Sequence, residues 1–188
     1  MYTEYNSAFV VGNNIGAYEL CRLSEEVRGG KSNVVISSSG GTAEALFVVG
    51  PLFRGRDITT IGDGPVSSAA LDIFLMGSKR LAIPDSKFFF HRASYEHGGR
   101  KVRAREAFML AEIFRHDNQP LSASESLSYA RTMSEIDIIC ARLIASRTRL
   151  EADRVMELMD GEGTCLSLCE ALLYGFVDDV ISPDLIVV

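Results

Sequence analysis

Residues 33–41, NVVISSSGG, hold the strongest fold signal in the chain. The β-branched run predicts a buried strand over Asn33–Ser37. Ser37-Ser38-Ser39-Gly40-Gly41 then leads into a helical pattern over Thr42–Phe53, which Pro51 disturbs. A strand–glycine–helix turn presents backbone N–H groups at the carboxyl end of a sheet, where open α/β proteins place their sites. Two readings of the glycines stay open: a tight turn that needs positive φ, or a cradle for an anion. No lysine follows them, as a Walker phosphate loop would require.

Working outward, the alternation continues. Ala8–Val11 predicts a strand, and Ala17–Val27 a helix with Leu20, Leu23 and Val27 on one face. Downstream, Asp57–Ile61 reads as a strand and Ser67–Met76 as a helix. Arg80–Ile83 and Lys87–His91 read as two further strands around Pro84-Asp85-Ser86. Such alternation predicts an α/β fold with a mostly parallel sheet and right-handed crossovers. The second half differs. Val102–Phe114 and a region from Ser122 to Arg149 read as helices, the latter with Ile136, Ile139, Cys140, Leu143 and Ile144 on one face. Glu151–Met159 and Leu168–Tyr174 read as shorter helices, and Phe176–Ile181 as a last strand. One domain over 1–188 is expected, with a helical handle or insertion at about 98–150.

Composition narrows the function. The 188 residues are 47% hydrophobic and 23% charged, enough apolar content for a real core. The net charge of -6 argues against nucleic acid or an anionic membrane surface as partner. The cysteines, at 21, 140, 165 and 169, form no CxxC pair and no zinc pattern, so no metal site is expected. They are expected to be reduced and mostly buried. The first residues show no basic n-region with an apolar stretch, and no apolar run approaches the roughly 18 residues of a membrane span. A cytoplasmic protein is the expectation.

Two further places carry chemistry. Gly64-Pro65-Val66-Ser67-Ser68-Ala69-Ala70 opens an apolar helix after a strand. A serine there is either an N-cap or a nucleophile with the next N–H as an oxyanion donor. His91 ends the apolar strand Phe88-Phe89-Phe90 and is either structural or a base. His97 and His116 lie in polar, loop-like surroundings. A serine nucleophile needs a base, and the base an orienting acid. The glycine turn, the serine and the histidine follow in order on consecutive units.

That order, with its local sequence, resembles the proteolytic subunit of the Clp protease. The family's Ser-x-Gly-Gly turn is matched by Ser38-Ser39-Gly40-Gly41, and its Gly-x-x-x-Ser turn by Gly64 to Ser68. Its Pro-x-Ser-x-x-x-x-His strand is matched by Pro84 to His91. Its Glu-Ala-x-x-x-Gly-x-x-Asp stretch is matched by Glu170, Ala171, Gly175 and Asp178. The likeness runs from about Phe9 to Ile181, apart from the helical middle. It implies a crotonase-like α/β fold of repeated ββα units with a mostly parallel sheet and an extended helical handle. It implies Ser68 as nucleophile, His91 as general base, and the N–H groups of Gly41 and Ala69 as the oxyanion hole. The reaction would be serine-type endopeptidase chemistry on a peptide or unfolded protein, through an acyl-enzyme. The family needs no metal or organic cofactor, forms heptameric rings that stack, and receives substrate from an ATPase ring.

The sequence departs from that pattern in places. Ser39 replaces the family's proline before the glycine pair. The family's triad aspartate, counted back from Ser167, falls on Gly163; Glu162 is the nearest acid, with Asp160 as substitute. The sequence starts a few residues before its first strand, so the family's axial N-terminal segment is expected to be absent and an ATPase partner has no support from it. The handle region is longer than the family's, with the surplus around Arg100–Tyr129 where the family's rings stack. Arg100, Lys101, Arg103 and Arg105 there are either a solvated face or an inter-subunit ion-pair surface. Two other classes compete: a catalytically weak Clp-like ring subunit or scaffold, and a crotonase-like acyl-CoA enzyme. A serine–lysine pairing finds no clear base in Lys79 or Lys87.

Overall fold

A computed structural model describes residues 9–186. Its core is a seven-stranded sheet. Strands β1 (Phe9–Ile15), β2 (Asn33–Gly41), β3 (Thr59–Ser67) and β4 (Lys79–Ala82) lie side by side and parallel. Helices α1 (Ala17–Arg28), α2 (Ala45–Phe53) and α3 (Ala69–Leu75) connect them. β5 (Lys87–Phe90) runs parallel to the far end of β3, pairing Ser67 with Phe89. β8 (Thr164–Leu166) pairs antiparallel with β5, and β9 (Asp179–Val180) closes the other edge against β4. The α/β architecture read from the sequence is the one observed.

The residue alternation of a strand explains the two faces. Val34 and Ile36 point into the main core, with Leu23, Phe74, Phe88 and Phe176. Val35, Ile61 and Leu81 point the other way, against Ile181, Leu185 and Ile186 near the chain end. The residues of the last motif are structural. Glu170 and Ser167 form a capping box on α7 (Leu168–Tyr174), and Gly175 ends that helix in the left-handed region. Asp178 holds Arg80 across β4 at 2.6 Å, while Ala171 is buried.

The central region departs from the sequence reading. A hairpin, β6 (Ser94–His97) and β7 (Arg100–Arg103), precedes the first helix of the handle. Gly98 and Gly99 both take positive φ, the turn that matches strand twist. The helices are α4 (Ala104–His116) and α5 (Pro120–Arg147), then α6 (Ala152–Leu158). At 28 residues, α5 is about 42 Å long. Its first half packs on the hairpin, where Ala130 meets Val102 and Ala107 and Tyr129 stacks on Tyr95. Its second half joins the main core through Ala141 and Ile144. The buried stripe of α5 is Ala123, Ser126, Ala130, Met133, Asp137, Ala141 and Ile144, so Ile136 and Ile139 belong to a neighbouring face.

The cysteines also differ from expectation. Cys21, Cys165 and Cys169 are exposed, and Cys140 alone is partly buried. The first three sit on outward faces of α1, β8 and α7, where their small size left no pattern to read.

Candidate active site

The site begins with the end of β3. That strand runs through Gly64-Pro65 to Ser67, and α3 starts at Ala69, so Ser68 is the corner between them. Ser68 has φ 54 and ψ -128, a conformation that costs a residue with a Cβ about 1–3 kcal/mol. A neighbouring strand and the helix hold it: Ser68 N–H donates to the Phe89 carbonyl of β5 at 2.8 Å, and the Ser68 carbonyl accepts from Leu71 N–H of α3 at 2.8 Å. The Ser68 side chain makes no capping hydrogen bond. Ser68 occupies the N-cap position of α3 without using its hydroxyl to cap, and Oγ stands on a strained strand-to-helix corner.

The glycine turn lies directly on that corner. A Cβ at Gly40 would come within 2.7 Å of the Ser68 Cβ and 3.3 Å of the Ala69 nitrogen, and Gly40 has φ 103. A Cβ at Gly41 would overlap the Ile15 carbonyl oxygen. Only glycine fits this approach. Ala69 is in the first turn of α3, whose N–H groups have no carbonyl partner within the helix.

His91 follows β5, two residues past Phe89 and on the same side of the strand. Its ring lies 5.3 Å from that of Phe89. His91 Nδ1 sits 2.7 Å from the Arg92 carbonyl oxygen. A carbonyl only accepts, so Nδ1 carries a proton and Nε2 is the nitrogen left to face the cleft chemistry. Ser68, His91, Gly41 and Ala69 line one cleft of about 820 Å³, together with Asn14, Glu44, Phe47 and residues of α5.

The expected acids do not join them. Glu162 is exposed and forms no hydrogen bond or ion pair among the described residues. Asp160 is held by Arg92 Nε at 2.9 Å and lines a second cleft, not the one that holds Ser68. Gly163 touches the base with its backbone instead: a Cβ there would lie 2.5 Å from the Phe90 oxygen and 2.7 Å from the His91 Cβ. Lys79 and Lys87 are both exposed, and neither lines the cleft. Among the described residues no group of three or more His, Cys, Asp or Glu could hold a metal.

Two acids not singled out from the sequence stand close by. Asp137 on α5 is 3% exposed and accepts from Ala93 N–H at 2.6 Å. Arg92 Nη1 lies 3.6 Å from it. Burial pushes its carboxyl up, while the Ala93 N–H, Arg92 and the charge of His91 pull it down. Asp137 thus braces the segment that carries His91. Its signal was a carboxylate on the buried stripe of a helix.

The second is Asp72, one helical turn beyond Ser68 and 7% exposed. Burial pushes its carboxyl up to about 7. Its hydrogen-bond partner is the Cys140 thiol, at 3.8 Å. Burial and the neighbouring carboxylates push that thiol well above its usual range, so it stays protonated. Because the folded protein binds the Asp72 proton more tightly than the unfolded chain, stability falls as pH rises from about 4 through about 7. Asp72→Asn removes that loss. Urea unfolding at pH 8 and pH 4.5 should show the variant gaining about 3 kcal/mol more at pH 8 than at pH 4.5.

No protein-family model matches the chain. The ATP-dependent Clp protease proteolytic subunit 2 of Nocardia farcinica (strain IFM 10152) is 27% identical over 154 residues, covering 80% of this chain. The matched stretch spans 64% of that relative's length. A point mutant of ClpP1 from Listeria monocytogenes superposes with a TM-score of 0.71 at 20% identity, over 95% of this chain and 93% of that one. ClpP1 from Listeria monocytogenes gives 0.69 at 18% identity, over 93% and 91%. The two structures share the fold, and the Nocardia subunit shares sequence. Over 80% of its length this chain is similar in sequence to a proteolytic subunit of the Clp protease, and it has the fold of ClpP1.

Proposed function

We propose that the chain is a serine-type endopeptidase in which Ser68 is the nucleophile and His91 the general base. The observation that carries this reading is the strained Ser68 corner, its hydroxyl making no capping bond, in the same cleft as a histidine whose Nδ1 is committed to a carbonyl. Ser68 Oγ attacks the scissile carbonyl while its proton passes to His91 Nε2. The oxyanion takes hydrogen bonds from the N–H groups of Gly41 and Ala69. His91 then gives the proton to the leaving amine, which departs as the C–N bond breaks, and water hydrolyses the acyl-enzyme by the reverse sequence. The Arg92 carbonyl does the orienting task that a carboxylate does in the usual triad, without the charge that would stabilise an imidazolium.

That missing charge favours a second reading, a ring subunit with slow chemistry. Asp137 answers it in part, since its carboxylate lies near enough for the charges of Asp137 and His91 to interact. A homo-oligomeric ring goes with the family, and residues 98–150 serve as the handle within a single domain. An ATPase partner finds no support in this chain's own residues, and neither does a nucleic acid. No helix among the described residues is long and apolar enough to cross a membrane. A cytoplasmic setting with reduced thiols goes with the reading. A fluorophosphonate should add to the folded protein once per chain by intact mass, and Ser68→Ala should stay unmodified. An unmodified wild type would remove the peptidase reading.

A further inference from the structure

The cleft beside Ser68 has an unusual floor. One wall is apolar, Met133, Ile136, Ile139 and Ile144 of α5 with Met159, while Asn14, Ser39, Thr42, Ser94 and Thr132 add polar groups elsewhere. The charged side chains lining it, besides His91, are Glu44, Lys101, Glu135 and Asp72. Glu44, Lys101 and Glu135 are exposed at the mouth. Asp72 alone is buried, on the short helix that follows the nucleophile and one turn beyond it. No cation is within ion-pairing distance of it among the described residues; its hydrogen bond comes from a thiol, a weak donor. A buried carboxyl without a cation is costly to ionise, and every other residue of α3 is buried and apolar.

We infer that Asp72 is a specificity residue, and that this cleft takes a lysine or arginine side chain at the residue whose carbonyl Ser68 attacks. The apolar wall of α5 suits the methylene stem of such a side chain, and the carboxylate at the floor suits its head. In the empty site burial keeps the carboxyl protonated well above the usual carboxylate range. A bound ammonium or guanidinium supplies the charge that favours its ionised form. A neutral side chain of the same length leaves that carboxyl as it was and gains only the apolar contacts. The inference rests on the peptidase reading and names the substrate class for it.

The test uses the intact protein and four fluorogenic peptides that differ only in that residue: lysine, arginine, norleucine and glutamine. Cleavage after lysine or arginine should exceed cleavage after norleucine by about tenfold or more in kcat/KM. In Asp72→Asn the ratio should fall to about 1, the conservative change keeping shape while removing the charge. In Asp72→Glu the preference for a basic residue should survive. A wild type that cleaves after norleucine or glutamine as well as after lysine overturns the inference, and so does an Asp72→Asn variant that keeps the preference. Fluorophosphonate modification of Ser68, which reads no amino-acid side chain, separates the two levels. Modification without a basic preference overturns the specificity alone. No modification and no cleavage overturn the catalytic reading and this inference with it.

Discussion

His91→Ala lowers kcat/KM for peptide cleavage by about 10⁴-fold or more, and the rate of Ser68 modification falls with it. The size follows from the roles at stake. Ser68 has no other imidazole in its cleft, Lys101 is exposed at the mouth, and Lys79 and Lys87 do not line it. Without a proton acceptor the serine stays a weak nucleophile, however well the oxyanion donors are placed. His91 is only half-buried, and its removal takes away one ring contact with Phe89, so the fold should hold. Free imidazole added to the variant should recover part of the rate, which a structural histidine would not allow. The assay is peptide hydrolysis for both proteins, with circular dichroism to show that the variant is folded. A variant within about tenfold of wild type would mean that His91 is not the base.

Gly163→Asp is the second large effect, and its sign runs against motif counting. By position, aspartate there should complete a triad. The backbone says otherwise. Gly163 has φ 86, and its Cβ would fall 2.5 Å from the Phe90 oxygen and 2.7 Å from the His91 Cβ. Both partners are at the base itself, and Phe90 pairs with Thr164 next along β8, so neither can move alone. Strain at positive φ and overpacking each cost about 1–3 kcal/mol. Accommodation must come from His91, and displacement on the order of 1 Å costs about 100-fold in rate. The variant should lose about 3–5 kcal/mol in urea unfolding and about 100-fold in kcat/KM. A variant as stable as wild type and faster would show that the loop opens to accept an acid, and that the Arg92 carbonyl is a substitute for it.

The placement of the candidate residues was legible because it is local. Gly40-Gly41 end a strand, Ser68 and His91 each directly follow one, and the order of short motifs carries that placement. The strand-to-helix serine left two readings, and only φ 54 at Ser68 and the absent capping bond separate them. The Arg92 carbonyl at His91 Nδ1 could not be read at all, because a backbone carbonyl has no sequence signature, and Glu162, the acid nearest by counting, is exposed and unpaired among the described residues. Asp137 and Asp72 were hidden by distance along the chain. α5 brings Asp137 to Ala93, and Cys140 to Asp72, across 44 and 68 residues. Each was a carboxylate on a helix face that packing buries, a mismatch visible once the faces are drawn. The hairpin around Gly98-Gly99 was missed because the charged residues of Arg100–Arg103 merged into the helical pattern after them, although the glycine pair is itself a hairpin signal.

The serine in question has a neighbour of the same kind, and the account stands on which of the two reacts. Ser67 is the last residue of β3, paired with Phe89; Ser68 is the corner. The most direct measurement is a peptide map of the fluorophosphonate adduct by tandem mass spectrometry. A single modified residue is expected, Ser68, with Ser67 unchanged. An adduct on Ser67, or a folded protein that carries none, would contradict it.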